Sequence, residues 1–142
     1  MPGGKPTMNY AISFFGESGA EIIYPDPGFP IYESMINFTG AKAIPYDMTK
    51  NKDFSINPDT ILSLINEKTR LLILNNPHNP TGGFTEKHVI DKLANGLKKF
   101  PDLAILSDEI YDRLIFDEKE IPTLLNYPDH YDRLIVLNVW SK

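Results

Sequence analysis

The sequence has no cysteine, so neither a disulfide framework nor a thiolate metal site can be built from it. It has no apolar run near the ~20 residues needed to cross a bilayer. The opening "MPGGKPTMNY" lacks the charged and then apolar pattern of a signal peptide. These features lead us to expect a soluble, cytoplasmic protein without a membrane partner. Basic residues are also scarce: 14 Lys and Arg stand against 19 Asp and Glu, a net charge of −5 with no cationic block. Phosphate neutralisation needs clustered cations, so no nucleic-acid partner is expected. There is no repeat, low-complexity tract or linker. The three histidines, His78, His88 and His130, show no ligand spacing, and no metal site is predicted.

What remains is a globular composition, 42% hydrophobic and 23% charged, over 142 residues. That length is about one domain's worth. Two periodicities alternate along it. "GKPTMNYAISFF" places Met8, Ile12 and Phe15 on one helical face, ended by Gly16. "EIIY" reads as a short strand over 22–24, broken by Pro25 and Pro27. "FPIYESMINFTG" predicts a helix with Ile31, Met35 and Phe38 inward, stopped by Gly40. "AKAIPYD" is a strand, and "NPDTILSLINEKT" a helix opened by Asn57 with Pro58 in its first turn. "RLLILNN", "LAILSDE" and "RLIVLNV" are unbroken apolar strands, and "TEKHVIDKLANGLKKF" is a helix with Thr85 as its expected cap. Continuous apolar strands occur in parallel sheets covered on both faces. The expected fold is therefore an α/β three-layer sandwich with a mostly parallel sheet.

The three strongest strands run into "NNPHNPTGG", "SDEIYDR" and "NVWSK". Ligands of open α/β sheets sit outside the carboxyl ends of the strands, which can bring Asn79, Asp108, Tyr111 and Lys142 to one crevice. At the other end of the chain, "PGGKP" opens the first helix, where free backbone N–H groups and the helix dipole favour a phosphate. A phosphate cradle, a buried carboxylate, amide and phenol donors and a lysine amine together suit pyridoxal 5′-phosphate.

"NNPHNPTG", "SDEIYDRL" and the terminal "SK", in this order and spacing, resemble the large domain of class I/II aminotransferases, the fold type I pyridoxal phosphate enzymes. The resemblance covers essentially the whole chain and implies that residues 1–142 form a partial cofactor-binding large domain, truncated at both ends. It implies that Lys142 forms the imine with the cofactor and then shuttles a proton, while Asp108 pairs with the pyridine nitrogen. Asn79 and Tyr111 would donate to the phenolic oxygen, Phe29 would stack on the ring, and Gly3, Gly4 and Lys5 would hold the phosphate through backbone amides. Each has a plainer alternative: Lys142 a solvated lysine, Asp108 a cap, Asn79 a turn residue, Tyr111 and Phe29 core aromatics. Three positions before the lysine, Val139 stands where many relatives carry a serine or small residue, which implies a weaker phosphate grip. The implied activity is amino-group transfer between an amino acid and a 2-oxo acid, by a homodimer in full-length form, with this piece inactive alone. A carbon–sulfur lyase of the same fold, a non-catalytic sensing module and a decayed fragment are the alternatives.

Overall fold

A computed structural model describes residues 3–114, 116 and 121–139; Lys142 lies outside them. The elements in chain order are α1 (Gly4–Phe15), β1 (Glu21–Asp26), α2 (Ile31–Thr39), β2 (Lys42–Asp47), α3 (Pro58–Leu64), β3 (Thr69–Asn75), α4 (Lys87–Leu97), β4 (Ala104–Asp108) and β5 (Leu134–Leu137). The five strands form one sheet in the order β2-β1-β3-β4-β5, every pairing parallel.

The unbroken apolar run of β3 is explained by its place at the centre of this sheet. Leu71 and Ile73 face one layer with Met8, Ile12, Tyr32 and Ile36 of α1 and α2. Leu72 and Leu74 face the other, with Ile61, Ile90, Leu93 and Leu97 of α3 and α4. Strand alternation thus feeds two cores at once. Burying each such leucine or isoleucine contributes roughly 1.5–3 kcal/mol, so the two helical layers hold the sheet far more than any surface ion pair does.

Local chemistry sets several boundaries as expected. Asn57 caps α3, its Oδ1 accepting from the amides of Asp59 (3.0 Å) and Thr60 (3.3 Å). Gly40 closes α2 in the left-handed conformation, φ 82°.

Three expectations are corrected. Thr85 does not cap α4; Glu86 occupies that position, and Thr85 is buried. Its backbone pairs with the Asn76 carboxamide and its hydroxyl accepts from the Ile56 amide, 3.2 Å away. Phe38 points outward at 82% exposure, and α2 buries Tyr32 and Ile36 instead. Strand β1 runs through Pro25 to Asp26. Its pairing with β3 stops at Ile23 while that with β2 continues, so an N–H lost on the β3 side breaks no rung.

A cap that the sequence does not announce closes α4 from 36 residues away. The Arg133 guanidinium donates to the carbonyls of Leu97 (3.0 Å), Phe100 (2.6 Å) and Leu103 (2.8 Å). It also donates to His130 Nδ1 at 2.7 Å. His130 must then carry its proton on Nε2, which donates to the Ala94 carbonyl at 2.9 Å. A cation on the last turn also complements the helix dipole. Among the described residues, no helix is long and apolar enough to cross a membrane.

Candidate active site

In the sheet order the chain steps from β1 to β2 on one side and to β3 on the other, and at such a switch point the strand ends part to leave a crevice. A cavity of about 430 Å³ lies at this carboxyl edge, within the usual size of small-molecule sites. It is lined from after β1 by Phe29, from β3 and its loop by Asn75 and Asn79, and from the β4 end by Asp108 and Tyr111. The start of α1 (Gly3, Gly4, Lys5) and Val139 beyond β5 close it. Seven of the eight residues singled out in the sequence therefore share one cavity. The eighth, Lys142, lies outside the described residues.

The α1 end is shaped for an anion. Gly3 takes φ 79°, a conformation that side chains disfavour, and no side chain caps the helix. No acidic residue lies in its first turn, so the amides of Gly4 and Lys5 keep their donors and the positive dipole end unopposed. Gly4 is buried, and a Cβ there would meet Val139 Cγ1 at 3.3 Å and Leu137 Cδ1 at 3.4 Å. Val139, flagged in the sequence for lacking a hydroxyl, thus packs against the helix start. Gly4→Ala should gain helix propensity worth up to ~1 kcal/mol. It must also push the helix start away from Val139 by a few tenths of an ångström. We expect affinity for phosphate-bearing ligands to fall several-fold, and Val139→Ala in the same chain to restore it. Titration of both variants beside wild type checks this; equal affinities would mean that the contact is slack.

On the same cavity, Asp108 closes β4 at 3% exposure. Its Oδ2 accepts from the Tyr32 hydroxyl at 2.6 Å, and its Oδ1 from the Ile110 amide at 3.3 Å. The second bond shows the capping role, in a carboxylate that also borders the cavity. Burial, then the charge of Asp108 and the bond to it, push the Tyr32 phenol far above its ordinary range, so it remains a protonated donor. Bonds of this charge-assisted kind contribute roughly 1.5–3 kcal/mol. Tyr32 was missed in the sequence. Its ring also meets Phe29 edge-on, centroids 6.0 Å apart, where the Tyr32 amide bonds the Phe29 carbonyl in the turn that leads into α2.

Also on the cavity wall, Asn79 Nδ2 donates to the Tyr111 hydroxyl at 3.0 Å. The loop holding Asn79 is fixed from within by His78, which is 4% exposed. Its amide donates to the Gly83 carbonyl, its carbonyl accepts from the Gly82 amide, and its Nδ1 lies 2.7 Å from Thr81 Oγ1. That hydroxyl also accepts from the Gly83 amide, so Thr81 links the imidazole to the turn.

Burial pushes the His78 pKa down to about 4. The unfolded chain therefore binds this proton first, near pH ~6.5. Stability that is full above that pH is lost as pH falls toward about 4, by roughly 2–3 kcal/mol. His130, lowered in the same direction chiefly by burial, adds to the trend. The paired carboxylates Asp91 and Asp129, held below their usual range by hydrogen bonds from Lys87 and Lys98, titrate lower still. Denaturant unfolding of wild type and His78→Gln at neutral and mildly acidic pH isolates the His78 share. We expect the variant's stability to fall less over that interval; parallel losses would remove His78 from the account.

A profile of the family described as "Aminotransferase class I and II" matches residues 1–142. The chain is 36% identical to an aspartate aminotransferase of Sulfurisphaera tokodaii and 34% identical to one of Sulfolobus acidocaldarius, in each case over 99% of its own length and 35% of theirs. Among solved structures it superposes on an aromatic aminotransferase of Pyrococcus horikoshii with a TM-score of 0.89 at 28% identity. That match covers 99% of this chain and 37% of the other. The chain thus spans about a third of the length of the relatives it matches.

Proposed function

Because the chain belongs to the class I and II aminotransferase family, we propose that its cavity holds pyridoxal 5′-phosphate for amino-group transfer between an amino acid and a 2-oxo acid. The observation that carries this reading is the placement of Asp108. A buried carboxylate, steadied by Tyr32, lines the same cavity as the glycine start of α1. The fit is chemical as well as spatial. The cradle at Gly3 and Gly4 suits a phosphate dianion, the Asn79–Tyr111 pair a phenolic oxygen, and Asp108 a cationic ring nitrogen.

When bound, the cofactor supplies an electron sink for the bonds at the substrate's α-carbon. The protein's residues make that sink available. Asp108 would hold a proton on the ring nitrogen, with Tyr32 steadying the carboxylate. Asn79 and Tyr111 would donate to the ring oxygen, Phe29 would pack against the ring, and the amides of Gly4 and Lys5 would anchor the phosphate. Attachment of the cofactor and movement of the α-carbon proton are assigned to Lys142 Nζ on the sequence alone. A homodimer is the proposed assembly, as is usual for the family.

We infer that these 142 residues by themselves turn over poorly, since the relatives that catalyse the reaction are nearly three times as long. The test incubates the chain with pyridoxal phosphate and a panel of amino acids, with and without 2-oxoglutarate. Transfer that depends on the oxo acid supports the reading. Keto-acid release without an acceptor points to a lyase, and cofactor binding with neither product to a sensing module. Turnover near ~10 per second, that of a complete enzyme, would overturn the inference of weak activity.

A further inference from the structure

We propose that Asn75 is a positioning residue: its one carboxamide, at the end of β3, ties the backbone of Asp108 to the backbone of Asn79 and so sets both cofactor-facing side chains in register. The inference rests on the cofactor reading above and goes beyond it, since nothing in the motif comparison singles out Asn75.

Asn75 is the last residue of β3 and pairs in register with Asp108, the last of β4. It is 3% exposed and borders the cavity. Its Nδ2 donates to the Asp108 carbonyl at 3.0 Å, and its Oδ1 accepts the Asn79 amide proton at 2.8 Å. The Asp108 carbonyl also takes the Asn76 amide, at 3.2 Å. From Asn79 the connection continues through Nδ2 to the Tyr111 hydroxyl, and Ile110 next to Tyr111 returns it to Asp108 Oδ1. The five residues therefore form a ring around the crevice, closed by four hydrogen bonds and the Ile110–Tyr111 peptide bond, and Asn75 is the member that joins one strand end to the other.

Only a carboxamide of this length serves. A donor must face the Asp108 carbonyl while an acceptor 2–3 Å away on the same group faces the Asn79 amide. Aspartate keeps the acceptor but sets a second oxygen against a carbonyl. Leucine keeps the volume and leaves the part-buried Asn79 amide without its Asn75 partner. Serine is too short to reach both. Asn79 lies between Pro77 and Pro80, which have no amide to donate, so its own amide bond to Asn75 adds to the His78 contacts that hold this loop. With the clamp gone, its side chain should wander relative to Asp108 by more than the ~0.5 Å that such sites tolerate.

The test uses the 142-residue chain and a cofactor analogue without the aldehyde, 4′-deoxypyridoxine 5′-phosphate, so that no lysine chemistry enters. Two readouts are taken on wild type, Asn75→Leu, Asn75→Ser and Asn75→Asp. The first is hydrogen exchange at the Asn79 amide without ligand. We expect protection to fall about ten-fold or more in the Leu and Ser variants and to persist in Asp. The second is the absorbance titration of the bound analogue's 3-hydroxyl, which reports whether Asn79 and Tyr111 still reach it. In the Leu and Ser variants it should move toward the value for the free analogue, with affinity lowered about ten-fold.

Should the larger change at Leu prevent folding, Ser gives the same two readings. An Asn79 amide protected as in wild type overturns the clamp. Lost protection with an unmoved titration reduces Asn75 to a structural role and also overturns the proposal. Failure of the wild-type chain to bind the analogue would instead remove the cofactor reading, and the inference with it. The exchange result would show that outcome to be separate from failure of the clamp.

Discussion

Lys142→Ala is expected to abolish covalent attachment of pyridoxal phosphate completely and to lower turnover by at least the 10²–10⁴-fold that a positioned proton carrier contributes. The expectation comes from the sequence: Lys142 follows the apolar run "RLIVLNV" by a three-residue "WSK", beside the motifs that carry Asn79, Asp108 and Tyr111. The structure adds that β5 ends at Leu137 next to β4, and that Val139, three positions before Lys142, already borders the cavity. Borohydride reduction of the cofactor-loaded protein, followed by peptide mapping, reads the attachment point. Label on Lys142 that vanishes in the variant is the expected pattern. Label on another lysine, with Lys142 clean, would remove it from the mechanism.

Asp108→Asn should separate binding from catalysis. The amide has nearly the same shape, so the cavity, the Phe29 wall and the α1 phosphate end stay in place. A neutral side chain cannot stabilise a cationic ring nitrogen, and the loss is felt mostly where negative charge develops in the transition state. Turnover is expected to fall by roughly 10²–10³-fold or more, with cofactor affinity weakened about ten-fold. Parallel measurement of cofactor binding and amino-group transfer checks the split. Near-normal transfer by a cofactor-loaded variant would leave Asp108 as the cap of the turn at Ile110 and no more.

Where a feature depends on neighbours in the chain, it was legible. Asn57, Pro58 and Gly40 set helix ends by bonds or dihedrals that each residue controls locally. The apolar runs of β3 and β4 announced strands covered on both sides, and the sheet is indeed parallel with a helical layer on each face. Residues that line the cavity were visible because strand ends and glycine turns collect them. What the sequence hid are side chains whose partners are remote. Tyr32 meets Asp108 across 76 positions and Arg133 caps a helix 36 positions earlier. Asn75 looked like the polar end of a strand, because its two bonds appear only once β3 and β4 lie side by side. Phe38 was misplaced for a different reason. In a nine-residue helix both the 31/35/38 and the 32/36 faces carry apolar residues, and only the contact with α1 and the sheet decides between them. Thr85 reads as a cap by type, yet its hydroxyl is claimed by Ile56 from another loop.

The state of the ring nitrogen tests the proposed chemistry most directly. Pyridoxal phosphate labelled with nitrogen-15 in the ring, bound to the wild-type protein and to Asp108→Asn, reports by NMR whether that nitrogen carries a proton as pH is varied. If the carboxylate of Asp108 faces the nitrogen as the cavity suggests, the wild-type nitrogen stays protonated through neutral and alkaline pH, and the variant's loses its proton. A nitrogen that titrates as in free cofactor, identically in both proteins, would contradict the placement of the cofactor in this cavity.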